Sequence, residues 1–295
     1  MRSVMPSSPL HAPLLAWYSR AARDLPWRTA DRTPWGVLVS EVMLQQTPVD
    51  RVVPAWQEWM ARWPEPAALA ADAPGEAVRM WGRLGYPRRA LRLHGAAVDM
   101  VSRFEGRVPA DEADLRSLPG VGEYTAAAVQ AFAFGRRSVV LDTNVRRVLA
   151  RLVAGSEHPR PAITADERAL AASVLPDPEG EAALWSVATM ELGALVCTAS
   201  SPLCEACPVR DQCTWVALGR PAYDGPPRPV QRFAGTDRQV RGRLMAVVRS
   251  AHHPVAKADL DVVWDDAVQR ERALDGLVAD GLVEVLDDGR YCLPR

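Results

Sequence analysis

Lysine is all but missing from this chain: of 295 residues only Lys257 carries a side-chain amine, so Schiff-base chemistry through lysine is confined to one position. Charge of one sign is missing as well. Thirty-five basic residues stand against 36 acidic ones, a formal charge of -1, and net charge therefore gives no support to binding a polyanion. Each hydrophobic stretch is interrupted by Arg, Asp, Glu or Pro before about 18 residues, which argues against a membrane-spanning helix. The opening MRSVMPSSPLHAP has one early arginine but no apolar run or small-residue cleavage site of a secretory signal. A soluble, cytoplasmic protein is expected, with residues 1–9 as a flexible arm. At 48% hydrophobic content the chain can bury one full-sized core and keep a small second module.

From Leu10 to about Leu218 apolar residues recur at three- and four-residue spacing between Pro and Gly punctuation, and strand-like alternation is nearly absent, so many short helices are expected. Arginines gather at 88, 89 and 92 and again at 136, 137, 146, 147 and 151. Each cluster reads either as a solvated helix face or as a basic patch. Residues 219–237, with Pro221, Pro226, Pro227 and Pro229, read as an extended linker. Beyond it, residues 238–295 show helical patterns over Val240–Arg249, Lys257–Trp264 and Ala267–Ala279, then a hairpin pattern, Leu282–Leu286 and Arg290–Leu293 about the turn Asp287-Asp288-Gly289. Three helices and a hairpin indicate a winged-helix-like α+β module. Its nine basic and ten acidic residues from Arg238 onward favour packing or a protein partner over groove reading.

Cys197, Cys204, Cys207 and Cys213 form C-x6-C-x2-C-x5-C, four thiolates within one short segment. Disulfides would not persist in a reducing compartment, and soft thiolates suit either zinc or an iron-sulfur cluster. Cys292 falls on the expected hairpin, apart from them. Upstream, Leu118 to Ala126 reads LPGVGEYTA, where Gly120, Val121 and Gly122 permit a tight turn that leaves amides free at the start of the next helix. Such amides bind phosphate without reading sequence. Asp142 in VLDTNV is placed to cap a helix. Glu41 in SEVMLQQT is followed by Gln45, Gln46 and Thr47, amide and hydroxyl side chains suited to base edges.

Several of these segments, in this order, resemble the MutY type of DNA glycosylase within the endonuclease III superfamily. LPGVGEYTA is similar to its helix-hairpin-helix, VLDTNV to the segment of its catalytic aspartate with Asn144 kept and Thr143 in place of Gly, and SEVMLQQT to the segment whose Glu protonates adenine. LPWR over Leu25–Arg28 resembles the stretch lining the base pocket, Gly82–Ala90 the GLGYYxRA segment with Pro87 in place of the second Tyr, and Glu191 an acidic position of the pocket. The cysteine spacing resembles the family's 4Fe-4S loop, residues 197–213.

The resemblance implies a mainly α fold, with two helical lobes and a cluster loop over residues 10–218. It implies a monofunctional enzyme removing adenine mispaired with 8-oxoguanine or guanine from double-stranded DNA, as a nucleoid-associated monomer. Glu41 and Asp142 are then the catalytic carboxylates. Tyr124 stands where bifunctional relatives carry lysine, so little strand cleavage is expected. Trp27, Arg28, Leu44, Gln45, Gln46, Thr47, Tyr86, Arg88, Gly120, Val121, Gly122, Asn144 and Glu191 are the expected pocket or DNA contacts, and Cys197, Cys204, Cys207 and Cys213 the cluster ligands. Two features depart from the pattern: typical MutY chains continue into a NUDIX-like domain where residues 238–295 lie, and the TASSPL loop between the first two cysteines lacks basic residues. Thymine removal from T:G or uracil removal from U:G mismatches is the alternative enzyme reading, and a non-catalytic iron-sulfur DNA-binding protein the other.

Overall fold

The computed structural model describes residues 8–226 and 233–295. Most of the expected arm (1–7) and part of the expected linker (227–232) lie outside them. Fifteen α-helices are present among the described residues: α1 His11–Ala21, α2 Pro34–Leu44, α3 Val49–Arg62, α4 Pro66–Ala70, α5 Pro74–Trp81, α6 Arg88–Arg103, α7 Glu112–Ser117, α8 Glu123–Phe134, α9 Thr143–Leu152, α10 Ala165–Ser173, α11 Glu179–Leu195, α12 Thr214–Ala217, α13 Asp237–Ser250, α14 Lys257–Asp261 and α15 Ala267–Ala279. Strands β1 Glu284–Val285 and β2 Tyr291–Cys292 pair antiparallel, with Glu284 opposite Cys292. None of these helices is long and apolar enough to cross a membrane. The mainly helical fold and the small terminal hairpin follow the expectation, although α14 stops short of Trp264.

The chain divides into two compact units. The first comprises residues 1–34, 110–113 and 121–227. Its centre is α11 against α9, where Trp185, Ala188 and Leu192 pack with Val148 and Leu152, and α1 adds Leu10 and Leu14. His11 fastens α1, its Nε2 lying 2.8 Å from the Val174 carbonyl and its ring meeting Trp185 edge-on. Thr164 and Asp142 cap α10 and α9 through their side chains, which accept from the Glu167 and Val145 amides, N–H donors of the kind that a helix start leaves unpaired.

The second unit comprises residues 35–109, 114–120 and 228–295. Trp59, Trp63 and Trp81 form a fully buried aromatic core, Trp59 meeting the other two edge-on at 4.6 and 5.7 Å. Trp35 donates from Nε1 to the Trp63 carbonyl at 3.0 Å, satisfying the one polar atom such a ring carries. Pro87 precedes the first turn of α6, where a missing N–H costs no helical bond. Residues 238–295, expected to stand apart beyond a linker, belong to this unit. Gly75 donates its N–H to the Pro294 carbonyl at 2.8 Å, and Arg79 donates to the Ala251 carbonyl at 3.0 Å.

Candidate active site and metal centre

In the second unit α2 is apolar on all sides, and Trp35 through Met43 are buried. Glu41 lies among them, 5% exposed, so its carboxyl is shielded from bulk water on an otherwise hydrophobic helix. The chain after α2 turns sharply: Gln46 is exposed and left-handed at φ 57°, and Thr47 is buried. Arg89 holds that turn. Its Nη1 donates to the carbonyls of Val42, Met43 and Gln45 at 2.8, 3.1 and 2.6 Å, the orphan acceptors of a helix C-terminus. Its Nη2 donates to Thr47 Oγ1 at 3.1 Å and the Gly85 carbonyl at 3.0 Å. One guanidinium thus ties Leu44–Thr47 to the glycine loop ahead of α6. With no carboxylate partner, burial pushes Arg89 down to about 10, a protonated cation still at neutral pH. Beyond Gly85, Tyr86 takes φ 47° and stands 46% exposed, with Arg88 paired to Asp280 at 3.1 Å.

Between α7 and α8 the turn passes through Gly120 at φ 82°, where a side chain would be strained and its Cβ would come within 2.9 Å of the Arg92 Cβ. Val121 is buried. Gly122 is extended and precedes α8 as an N-cap that has no side chain to cap with, in the place where a helix start can receive an anion. Tyr124 follows in the first turn, half-buried against Ala127, Ala128 and Val140.

Asp142 sits at the start of α9. Its Oδ1 accepts from the Val145 amide at 2.6 Å and its Oδ2 from Asn144 Nδ2 at 3.0 Å. Burial pushes the carboxyl above its ordinary range, opposed by those hydrogen bonds and by the Arg147 charge. Asn144 is itself held by Arg147, whose Nη2 donates to its Oδ1 at 2.8 Å and to the Gly193 carbonyl at 2.7 Å. Arg147 Nε donates to the Cys197 carbonyl at 2.7 Å, so an unbroken run of hydrogen bonds links Asp142 to the cysteine loop. Residue 193 has to be glycine for this approach, because a Cβ there would lie 2.6 Å from Asn144 Cβ.

Glu191 is fully buried, and it is neutralised rather than poised to react. Its Oε1 accepts from Arg23 N and Nε at 2.9 and 2.8 Å; its Oε2 accepts from Arg23 Nη2 at 2.8 Å and Arg28 Nη1 at 3.0 Å. Those arginines hold the carboxylate below its ordinary range against the pull of burial. Trp27 is buried in the short 3-10 turn Pro26–Arg28 that carries Arg28.

The four cysteines Cys197, Cys204, Cys207 and Cys213 form no disulfide and line one cavity with Arg151, Val196, Pro202 and Trp215. Among the described residues no three His, Cys, Asp or Glu side chains converge as ligands of one ion. A wall of thiols around a void fits a metal-sulfide cage better than a single tetrahedral ion. Burial, then the neighbouring Cys197, Cys213 and Cys204, pushes the Cys207 thiol up to about 11, and a bound cation is what favours the thiolate as a ligand. Arg151, 1% exposed, closes the cavity. It lies over the Trp215 ring at 4.8 Å, approaches Cys197 Sγ at 3.4 Å and donates to the Thr198 and Ala199 carbonyls at 2.7 and 3.1 Å.

The two arginine clusters are thereby corrected at their central members. Arg89, Arg147 and Arg151 are buried clamps on carbonyls, neither a solvated face nor a basic patch. Their neighbours are also engaged: Arg146 pairs with Glu167 at 2.6 Å, and Arg137 donates to the Pro176 carbonyl at 2.9 Å. Arg23, Arg89, Arg147 and Arg151 were not among the expected site residues. A signal existed for two of them, since Arg147 and Arg151 fall four apart on the helix that starts at Asp142.

Residues 39–171 match the family model of the helix-hairpin-helix-GPD superfamily base excision DNA repair proteins, and residues 197–213 match the iron-sulfur binding domain of endonuclease III. The fold agrees with the solved structure of a thermostable thymine-DNA glycosylase, at a TM-score of 0.62 and 26% identity over 70% of this chain and 94% of that one. Fold and cysteine loop together define a base excision repair glycosylase with a 4Fe-4S cluster loop. Adenine DNA glycosylases of Mycolicibacterium smegmatis and Mycobacterium tuberculosis are 53% and 52% identical to it, each over 95% of this chain and 94% and 92% of their own. The chain belongs to the adenine DNA glycosylase family.

Proposed function

We propose that this protein hydrolyses the N-glycosidic bond of adenine mispaired with 8-oxoguanine or guanine in duplex DNA, and leaves the sugar-phosphate backbone uncut. The observation that carries the reading is the identity of 52–53% to adenine DNA glycosylases over nearly the whole chain. In this reading an adenine leaves the stack, and the Glu41 carboxyl delivers a proton to a ring nitrogen of the base. The C–N bond breaks, its electron pair departs with neutral adenine, and the sugar is left as an oxocarbenium ion. Asp142 Oδ2 meets that cation by charge or by a covalent bond, with Asn144 and Arg147 as positioning residues. Water then adds at the sugar carbon as Glu41 takes its proton.

Tyr124 offers no amine where a lyase would need one. Lys257 is held by Asp261 and Glu271 in the C-terminal helices. Arg28 and Trp27 line the base pocket, and Arg23 positions Arg28 through Glu191. Gln45, Gln46, Thr47 and Tyr86 face the base pair, while Gly120 to Gly122 hold a phosphate. Cys197, Cys204, Cys207 and Cys213 hold the cluster, which supplies a rigid cross-link to a loop too short to build a core of its own. The protein acts as a monomer in the cytoplasm.

Single-turnover assays on duplexes carrying A:8-oxoG, A:G and T:G test this. Free adenine from the first two, with no strand nick, is the expected result. Thymine release would favour the T:G reading, to which the likeness to a thymine-DNA glycosylase lends weight. No release at all would leave a binding protein.

A further inference from the structure

The C-terminal helices and hairpin are bolted to α5, and the joint gathers arginines. Arg79 donates to the Arg249 and Ala251 carbonyls at the end of α13. Arg51 of α3 donates from Nη2 to the carbonyl of Arg83, which directly follows α5. These contacts bring Arg51, Arg83 and Arg249 to one seam.

Elsewhere the arginines of this module are matched by acids. Arg241 pairs with Asp280, Arg270 with Asp261, Arg272 with Asp237, Arg290 with Asp288 and Arg295 with Glu284. Arg51, Arg83 and Arg249 have no such partner among the described residues, and segments 1–7 and 227–232 contain neither Asp nor Glu. Arg249 is half-buried, and both burial and the nearby Arg83 charge push it below its ordinary range. A half-buried cation facing another cation is unfavourable unless an anion comes to it. At the opposite end of α13 from Arg249, Arg238 is exposed on the first turn, donates to Tyr86 Oη at 3.2 Å and lies 5.8 Å over that ring.

We propose that Arg51, Arg83 and Arg249 form a phosphate-binding patch through which the C-terminal module holds the backbone of duplex DNA. It rests on the DNA-glycosylase reading above for its ligand. The patch offers three cations at a seam rather than a helix for a groove, and it needs no net positive charge on the module. It also supplies phosphate contacts that the cysteine loop, without basic residues between Cys197 and Cys204, does not.

The test is equilibrium binding of the full chain to an undamaged duplex over a salt series, with adenine release from A:8-oxoG measured in parallel. Arg249→Gln and Arg83→Gln should each lower the slope of log Kobs against log salt by about 0.9 and weaken binding about eightfold at 0.1 M salt. Arg290→Gln, whose charge is already met by Asp288, should change neither. The melting temperature of Arg249→Gln should stay level or rise, which separates lost contact from misfolding. Slopes equal to the parent's in both patch variants would overturn the patch while a parent that still releases adenine keeps the glycosylase reading. A parent that neither binds duplex nor releases adenine would sink both.

Discussion

Asp142 and Glu191 are two shielded carboxylates of the same unit, and their surroundings push them in opposite directions. Glu191 has two arginines on it and stays ionised below its ordinary range. Asp142 has the Val145 amide and the Asn144 amide, neutral donors that only partly offset burial, and Arg147 reaches it through Asn144. Burial alone therefore does not say what an acid is for. A carboxylate whose lone pairs face two guanidiniums is a fixture, whereas one held by neutral donors keeps a charge that an incoming cation can still relieve.

The contrast breaks most visibly in activity. Asp142→Asn should cut adenine release by about 10²–10⁴-fold with the cluster's visible absorbance intact; near-parental turnover would remove Asp142 from the chemistry. Glu41→Gln should abolish release with the same retention of absorbance, and loss of the cluster in that variant would make Glu41 a structural residue. Glu191→Gln strikes stability instead, stranding Arg23 and Arg28 at a cost of about 3–5 kcal/mol read by denaturant titration, and an unchanged midpoint would show the pair to be dispensable.

Their pH dependences have opposite signs. Glu191, with a folded pKa below its ordinary 4.5, contributes stability present above that value and lost as pH falls through the lower folded one. Asp142, raised above its ordinary 3.8, contributes stability complete below 3.8 and lost as pH rises through the folded value. Asp142→Asn, which keeps a cap acceptor, should thus raise the melting temperature at neutral pH, by roughly 2–4 °C per kcal/mol recovered. A fall would mean that the charge itself stabilises the fold. The smallest effect belongs to Lys257→Ala: its borohydride trapping on abasic DNA should match the parent's, and a loss of trapping would assign that amine a lyase role.

Much of this architecture was legible in residue order. Pro and Gly punctuation placed the helices, the Asp-Asp-Gly turn placed the hairpin, and the spacing of four cysteines placed the metal loop, because each rests on a local rule of backbone or ligand geometry. The arginines were misread for a matching reason. Periodicity reports which face of a helix a residue occupies but not what covers that face, and Arg89, Arg147 and Arg151 snorkel to carbonyls supplied by other segments. Glu191 was legible as an acid and illegible as a salt bridge, since Arg23 lies 168 positions away. The terminal helices were legible one by one, and their attachment to α5 was not, because it is made by backbone carbonyls that any sequence provides.

What the amino-acid order settled by itself is what the chain is able to do chemically: thiols at cluster spacing, acids at Glu41 and Asp142, a phenol rather than an amine at Tyr124, and glycines where the backbone must turn. Those are properties of residue types at short range. Which carboxylate is neutralised, which arginines are spent on carbonyls and which remain without an acid was decided only when distant segments came together, because a charge's energy depends on the groups within a few ångströms of it, and sequence distance does not measure that.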